Sequence, residues 1–286
     1  MTGRWYWRAT RLQRAVTRSA ADATGVLRNP SLPPDMRKSL ATSAVRLAMA
    51  DHTGLPNPVQ LAGYKVNYLR RDLLLHLYGE IFVNTCYAYE PSSPAPIILD
   101  CGSNIGMAML YFKRMFPGSH LTCFEPDPET FGVLRKNMEQ NGLIGVELHC
   151  CALTGVEGTT TFFHSNEEVG SLLMSTHPER LSGSQIEVQS RALSPYIQDD
   201  VDLLKLDIEG SEHPVLMEVA EAGKLRQIRQ MHIEYHHHIR AGDDRLSATL
   251  ALLESEGFGY QIDVDRHQKG TLGGFQDIAL HAYRKG

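Results

Sequence analysis

Residues 97–106 read IILDCGSNIG, and residues 121–126 read LTCFEP. The first stretch opens as a short apolar run of the kind that fills a buried parallel strand, and it ends in Asp100. Gly102 permits a tight turn with unusual φ, and Gly106 lets the helix that follows pack close to the strand. A chain held this close can turn backbone N–H groups toward a polar ligand, and Ser103 or Asn104 is placed to cap the new helix. The second stretch reads as another strand, closed by Glu125. A carboxylate at that strand end can accept hydrogen bonds from both hydroxyls of a ribose. Pro126 and Asp127 then shape the turn that would border an adenine. Strand, D-x-G turn, helix, strand and acid together predict a nucleoside site.

Dinucleotide sites carry G-x-G-x-x-G and receive a pyrophosphate at the helix end. Here the pattern is D-x-G-x-N-x-G. Its leading carboxylate would repel a pyrophosphate, but it suits a ligand that bears an ammonium group, such as the methionine part of S-adenosylmethionine. After the third strand, Cys150-Cys151-Ala152 offers no acid for an adenine amino group, so the backbone of Cys151 and Ala152 is expected to serve. Thiols at Cys101 and Cys151 read as small apolar filler rather than reactive groups.

Outward from this unit the chain alternates strand with helix. Strand-like runs fall at 97–99, 121–124, 146–150, 203–206 and 231–235, and helical stretches at 105–116, 128–140, 212–222 and 245–256. The alternation predicts an α/β fold with a doubly wound sheet. Runs at 258–263 and 275–282, around a Gly-rich turn, would complete a seven-stranded, Rossmann-like class I methyltransferase sheet whose last strand is antiparallel. Within the insertion 158–191, residues 159–163 and 186–191 are expected to pair as strands, with Gly170-Ser171 in the loop between. Loops over an active site commonly select the acceptor.

The chain has 286 residues, which suits one domain of about 200–250 residues and an extension. The expected division is a helical N-terminal extension, 1–60, and a methyltransferase domain, 61–286. In the extension, Arg4, Arg8, Arg11, Arg14 and Arg18 share one helix face, with Trp5, Leu12, Ala15 and Val16 on a modest apolar side. Such a face can make peripheral contact with an anionic membrane, but packing on its own domain or on a second copy of the chain is the favoured reading. A second helix is expected at 36–50, a linker at Pro56 and Pro58, a helical stretch at 68–78 and an extended one at 81–89.

Composition narrows the class. Hydrophobic residues make up 42% and charged residues 21%, ordinary for a chain with a sizeable core. The net charge of −5 counts against a nucleic-acid binder built on global basicity. Five cysteines without metal-type spacing predict reduced thiols in the cytoplasm. No run approaches the roughly 20 apolar residues that cross a bilayer, and the N-terminus lacks the apolar core of a secretory signal.

Residues 98–106 (ILDCGSNIG), 123–128 (CFEPDP), 137–142 (NMEQNG), 170–172 (GSL), 203–212 (LLKLDIEGSE) and 234–236 (EYH) together resemble the FkbM family of S-adenosylmethionine-dependent methyltransferases. The match spans roughly residues 80–240, and K-x-D-x-E-G is its most specific part. The resemblance implies O-methylation of a hydroxyl on a sugar, glycoside, polyketide or related natural product, hence a role in natural product biosynthesis. It implies a small-molecule or glycosyl acceptor rather than a nucleic acid.

Methyl transfer from a sulfonium is an in-line displacement that needs an aligned acceptor oxygen and a destination for its proton. In an open α/β sheet those groups belong at the carboxyl ends of the strands. Lys205 and Asp207 share one face of the fourth strand, and Glu234 and His236 repeat the spacing on the fifth. His236 is the favoured general base because an unperturbed imidazole titrates at about 6.5; Asp207 and Lys205 are alternatives. Asp207 is expected at the cofactor as well. A weaker reading makes Asp207, Glu234 and His236 ligands of a divalent metal that holds two sugar hydroxyls. Against these stands a bland reading in which Lys205 merely pairs with Asp207, and Glu209 caps the next helix. Competing functions on the same fold are a nucleic-acid or protein methyltransferase and a non-catalytic binding module. The sequence DIEG at 207–210 counts against the nucleic-acid reading, since amino-methylating relatives usually carry Asn/Asp-Pro-Pro-aromatic there.

Overall fold

The computed structural model describes residues 24, 26–28, 32, 34–53, 55–164, 184–239, 244–264 and 276–285. The arginine-bearing helix expected at 4–18 and the Gly170–Ser171 loop lie outside these residues. The chain divides into two compact units, Met1–Ala88 with Glu139–Gly142, and Tyr89–Met138 with Leu143–Gly286. Residues 61–88, which the sequence groups with the methyltransferase domain, fall in the first unit.

In the first unit, helix α1 (Pro34–Thr53) buries Met36, Leu40, Ser43, Ala44 and Leu47, a stripe at helical spacing. It packs on a hairpin, β1 (Val59–Leu61) and β2 (Tyr64–Val66), where the sequence suggested only a linker. Ala62 and Gly63 both have positive φ, at 51° and 89°, as a two-residue hairpin turn requires. The Ser43 hydroxyl accepts the Ala62 N–H at 3.0 Å and ties the turn to the helix. Helix α2 (Arg71–Leu77) continues into a π-turn, Tyr78–Val83, closed by Asn84 N–H donating to the Gly79 carbonyl at 2.9 Å. This corrects the start of the extended stretch expected at 81–89. Leu73, Leu74, Leu77, Tyr78, Ile81 and Phe82 are all buried, and their three-to-four spacing is helical rather than alternating.

The second unit is built on a seven-stranded sheet. Its strands are β3 (Ile97–Cys101), β4 (His120–Phe124), β5 (Val146–His149), β9 (Val201–Leu206), β10 (Ile228–His237), β11 (Phe258–Val264) and β12 (Gln276–Arg284). They lie in the order β11-β12-β10-β9-β3-β4-β5, and only the β12 pairings are antiparallel. This is the α/β, class I methyltransferase arrangement that the sequence predicted, with its last strand antiparallel. Helices α3 (Met107–Met115), α4 (Pro128–Gln140), α5 (Glu212–Glu221) and α6 (Leu246–Ser255) connect the strands. Central strand β9 is buried at every position, so its side chains must pack or pair on both faces.

The insertion forms a separate small sheet. Strand β7 (Gly158–His164) pairs antiparallel with β8 (Ser184–Arg191), as expected, and β8 also takes β6 (Ala152–Leu153) in parallel, a strand the sequence did not signal.

Candidate active site

The chain leaves β3 for β4 on one side and returns to β9 on the other, so the order reverses between β3 and β9. Ligands of open α/β sheets bind outside the carboxyl ends of strands at such a reversal. The residues singled out in the sequence collect there.

The turn after β3 is fixed from both neighbours. Gly102 and Ser103 donate their N–H groups to the Phe124 carbonyl at 3.1 and 2.8 Å, and Asp207 N–H donates to the Cys101 carbonyl at 3.1 Å. Gly102 has φ +83°, and a Cβ there would lie 1.8 Å from the Asp207 carbonyl oxygen. No other residue type fits. Gly106 caps α3 at φ +88° without any side-chain cap. That corrects the expectation for Ser103 and Asn104: Ser103 Oγ donates to the Asp100 carbonyl at 2.8 Å, and Asn104 Oδ1 accepts the N–H of Ile105 at 2.7 Å.

Glu125 is buried at the end of β4. Its two carboxylate oxygens each accept one backbone N–H, from Asn104 at 2.9 Å and from Asp127 at 3.0 Å. Burial, followed by the nearby Asp127 carboxylate, raises its pKa to about 8 despite those bonds. A carboxylate has about four acceptor positions, so room remains for the two hydroxyls of a ribose. Asp127 caps α4, accepting the Thr130 N–H at 2.8 Å and its hydroxyl at 2.7 Å. Pro126 lies between them, and its carbonyl accepts the Cys150 thiol at 3.9 Å. Cys151 and Ala152 are buried, and Ala152 is already paired with Ser190 in the small sheet. Burial pushes the Cys151 thiol up to about 12, consistent with inert filler.

Asp100 is fully buried and stands beside Lys205 in the β3–β9 register. The Lys205 ammonium lies 3.3 Å from Asp100 Oδ1 and 3.5 Å from Asp207 Oδ2, and donates to the Gly102 carbonyl at 2.7 Å. Burial alone would lower its pKa; the two carboxylates more than reverse this and keep it charged. Lys205 thus joins the turn after β3 to β9 as a cation paired with both carboxylates. The ammonium that faces Asp100 in the structure is that of Lys205.

Farther along the edge, His236 is the centre of an acidic cluster. Its Nδ1 contacts Glu212 Oε1 at 2.8 Å, while Nε2 lies 3.1 Å from Glu209, 3.8 Å from Asp207 and 3.8 Å from Asp277. Burial would lower the His236 pKa, yet Glu209, Glu212 and Asp207 together raise it to about 10. This counts against His236 as the general base, since carboxylates at both ring nitrogens favour the protonated imidazole. Glu209 does not cap the helix either: it adopts φ +61° and turns its carboxylate to His236, while the cap position is Ser211. Glu212, almost fully buried, accepts the N–H groups of Gly210 at 2.9 Å and Ile208 at 3.3 Å.

Glu234 belongs to the same cluster; its ligating atom, that of His236 and that of Asp277 lie within 4.8 Å of one another. Asp207 first, then burial, raises its pKa to about 8. Among the described residues none donates a hydrogen bond to this carboxylate. Asp277, which the sequence reading missed, is brought in by the antiparallel pairing of His236 with Asp277 on β12. The run at 275–282 signalled the strand but not its register.

A family model described as "Methyltransferase FkbM domain" matches residues 100–262, more than half of the chain. Among curated proteins, "Methyltransferase 1" of Beauveria bassiana is 31% identical over 49% of this chain and 65% of its own length. The "31-O-demethyl-FK506 methyltransferase FkbM" of Streptomyces tacrolimicus is 29% identical over 76% of this chain and 92% of its own. The "2-O-methyltransferase NoeI" of Sinorhizobium fredii is 30% identical over 57% and 72%. The chain thus spans just under two thirds of the first of these relatives and more of the others. With its strand order and its D-x-G and K-x-D-x-E-G elements on facing strand ends, the chain belongs to the FkbM family of S-adenosylmethionine-dependent methyltransferases.

Proposed function

We propose that the protein transfers the methyl group of S-adenosylmethionine to a hydroxyl of a sugar, glycoside, polyketide or related natural product. The observation that carries this reading is the adjacency, at one sheet edge, of a nucleoside-type turn and a carboxylate-rich cluster. The turn comprises Asp100, Gly102, Ser103, Asn104 and Gly106, with Glu125, Pro126 and Asp127 on the next strand and Cys151 and Ala152 beyond. The cluster comprises Asp207, Glu209, Glu234, His236 and Asp277. Two of the relatives carry O-methyl positions in their names, which supports oxygen as the acceptor atom.

When bound, S-adenosylmethionine supplies an electrophilic methyl group on a cationic sulfur. Glu125 holds the ribose, and Lys205 fixes Asp100 and Asp207 in place. The negative strand ends favour the sulfonium. The acceptor hydroxyl proton passes to a carboxylate of the cluster, Glu234, whose oxygens no described donor occupies. The imidazolium of His236 holds Asp207 and Glu209 in position. Calorimetric titration should show one cofactor site in the wild type and none in Glu125→Ala. Cofactor binding unchanged in that variant would refute the site. A methyl-transfer screen against hydroxylated glycosides and lipids, read by mass shift, tests the acceptor class; transfer only to RNA or peptide would refute it. Turnover retained in Glu234→Gln would remove Glu234 as the base.

A further inference from the structure

We propose that Asp207, Glu209 and His236 form a binding site for a divalent cation that holds the acceptor through its hydroxyl and a neighbouring oxygen. This deepens the O-methyltransferase reading above and rests on it.

Three features of the cluster carry the inference. The ligating atoms of Asp207, Glu209 and His236 lie within 4.8 Å of one another. His236 Nε2 is 3.1 Å from Glu209 Oε2 and 3.8 Å from Asp207 Oδ1. Neighbouring ligands around a cation bound at about 2.1–2.2 Å are separated by about 3 Å, so a small contraction completes three sides of a coordination shell.

The second feature is how His236 is held. Its Nδ1 is bonded at 2.8 Å to Glu212, itself almost fully buried and fixed by the N–H groups of Ile208 and Gly210. A ligating histidine typically gives its other ring N–H to a carboxylate, which sets its tautomer and aims the remaining nitrogen at the metal. Here that nitrogen is aimed at Asp207 and Glu209. A cation would take the place of the proton on Nε2 without moving the ring.

The third feature is charge. Asp207, Glu209, Glu234 and Asp277 crowd one edge, with Lys205 against Oδ2 of Asp207 and Oδ1 of Asp207 facing His236. One imidazole with carboxylates suits Mn2+ or Mg2+, with water or acceptor oxygens completing the shell. The side chains of Asp207 and Glu209 are 24% and 19% exposed, whereas the Glu209 Oε2 that faces His236 is itself buried. A cation there would acidify a bound hydroxyl beside Glu234, and would favour acceptors with two adjacent oxygens, as in a vicinal diol.

The test uses the full chain freed of metal, titrated with Mn2+ and followed by electron paramagnetic resonance. One saturable Mn2+ per chain is expected, with an imidazole nitrogen coupling that disappears in His236→Gln. Glu209→Gln, at a partly exposed position, should weaken binding at least tenfold in a variant whose own cooperative melting curve shows that it is folded. Glu212→Gln should weaken it by roughly 10- to 100-fold. A second His/Asp group, His237, His238 and Asp244, lies on the next turn of chain. Binding lost in Asp244→Asn but kept in Glu209→Gln would place the ion there and overturn the proposal. So would the absence of saturable binding. Calorimetry with S-adenosylmethionine on the metal-free protein separates the two readings: cofactor binding without Mn2+ binding refutes only the cation site, and no cofactor binding refutes the enzyme reading itself.

Discussion

Single residues at this edge are held by constraints of very different stiffness. Gly102 and Gly106 both have positive φ, but a Cβ at Gly102 meets the backbone of Asp207, while one at Gly106 meets Leu134 Cδ1 at 2.7 Å and Met109 Cε at 2.9 Å. Side-chain ends can yield; a strand-end carbonyl cannot. Gly106→Ala should therefore cost about 1–2 kcal/mol, the strain of a left-handed alanine. Gly102→Ala should cost clearly more and abolish cofactor binding, as urea melts and calorimetry on both variants would show; equal losses would refute the ranking. Glu125 makes a pH-dependent contribution. Its folded pKa, about 8, lies above the ordinary carboxylate value of 4.5. Below about pH 4.5 both states hold the proton and the group is neutral in its effect. As pH rises toward 8 the unfolded chain releases the proton first, so stability falls across that window. Glu125→Gln should flatten this part of the stability–pH curve, and an unchanged slope would count against the buried carboxylate as its source. The sequence placed Asp100 and Glu125 at their strand ends because a turn motif has fixed local spacing. The surroundings of His236 were not readable: an imidazole takes its pKa from neighbours, and Glu209, Glu212 and Asp277 were not identifiable as those neighbours from local pattern alone.

At the scale of elements, the site depends on register. Parallel pairing sets Asp100 opposite Lys205 on β3 and β9, and antiparallel pairing sets His236 opposite Asp277 on β10 and β12. Side chains at such positions project from the same face of the sheet. The strands themselves were readable as apolar runs, and α4 was placed with its observed limits, because periodicity is a local property. Register is set between elements far apart in sequence, and the β1–β2 hairpin and β6 were missed for a related reason: three-residue and two-residue strands are too short to show alternation. The buried Asp100–Lys205–Asp207 group tests the argument. Lys205→Met leaves two carboxylates facing each other without their cation, and removing one partner of a buried ion pair costs about 3–5 kcal/mol. Adding Asp100→Asn to that variant should restore a large part of the loss, because the uncompensated charge is removed with it. Additive losses in the double variant would show that the two residues do not act as a pair.

At the scale of the whole molecule, the distribution of charge around the sheet sets how the edge treats cofactor and product. The chain carries a modest net charge of −5, yet Asp207, Glu209, Glu234 and Asp277 gather around a single imidazole, with Lys205 committed to Asp100 and Asp207. The fold brings them together by closing β10 between β9 and β12. Methyl transfer converts a sulfonium to a neutral thioether, so in the proposed site the cofactor would lose a positive charge beside this cluster while the nucleoside contacts proposed for Glu125 would stay the same. S-adenosylmethionine should therefore bind more tightly than S-adenosylhomocysteine. The preference should amount to at least about 1 kcal/mol, the size of a unit-charge interaction about 4 Å apart in bulk water. Raising salt shortens the screening length from about 10 Å at 0.1 M to about 3 Å at 1 M. The ratio of the two affinities should accordingly shrink with salt, and shrink further in Asp207→Asn, while the affinity for the thioether changes little. Calorimetry with both ligands at low and high salt reads this directly. A ratio that is insensitive to salt and to Asp207 would mean that the cluster does not sense the sulfonium, and would move the methyl group away from Asp207 and Glu234.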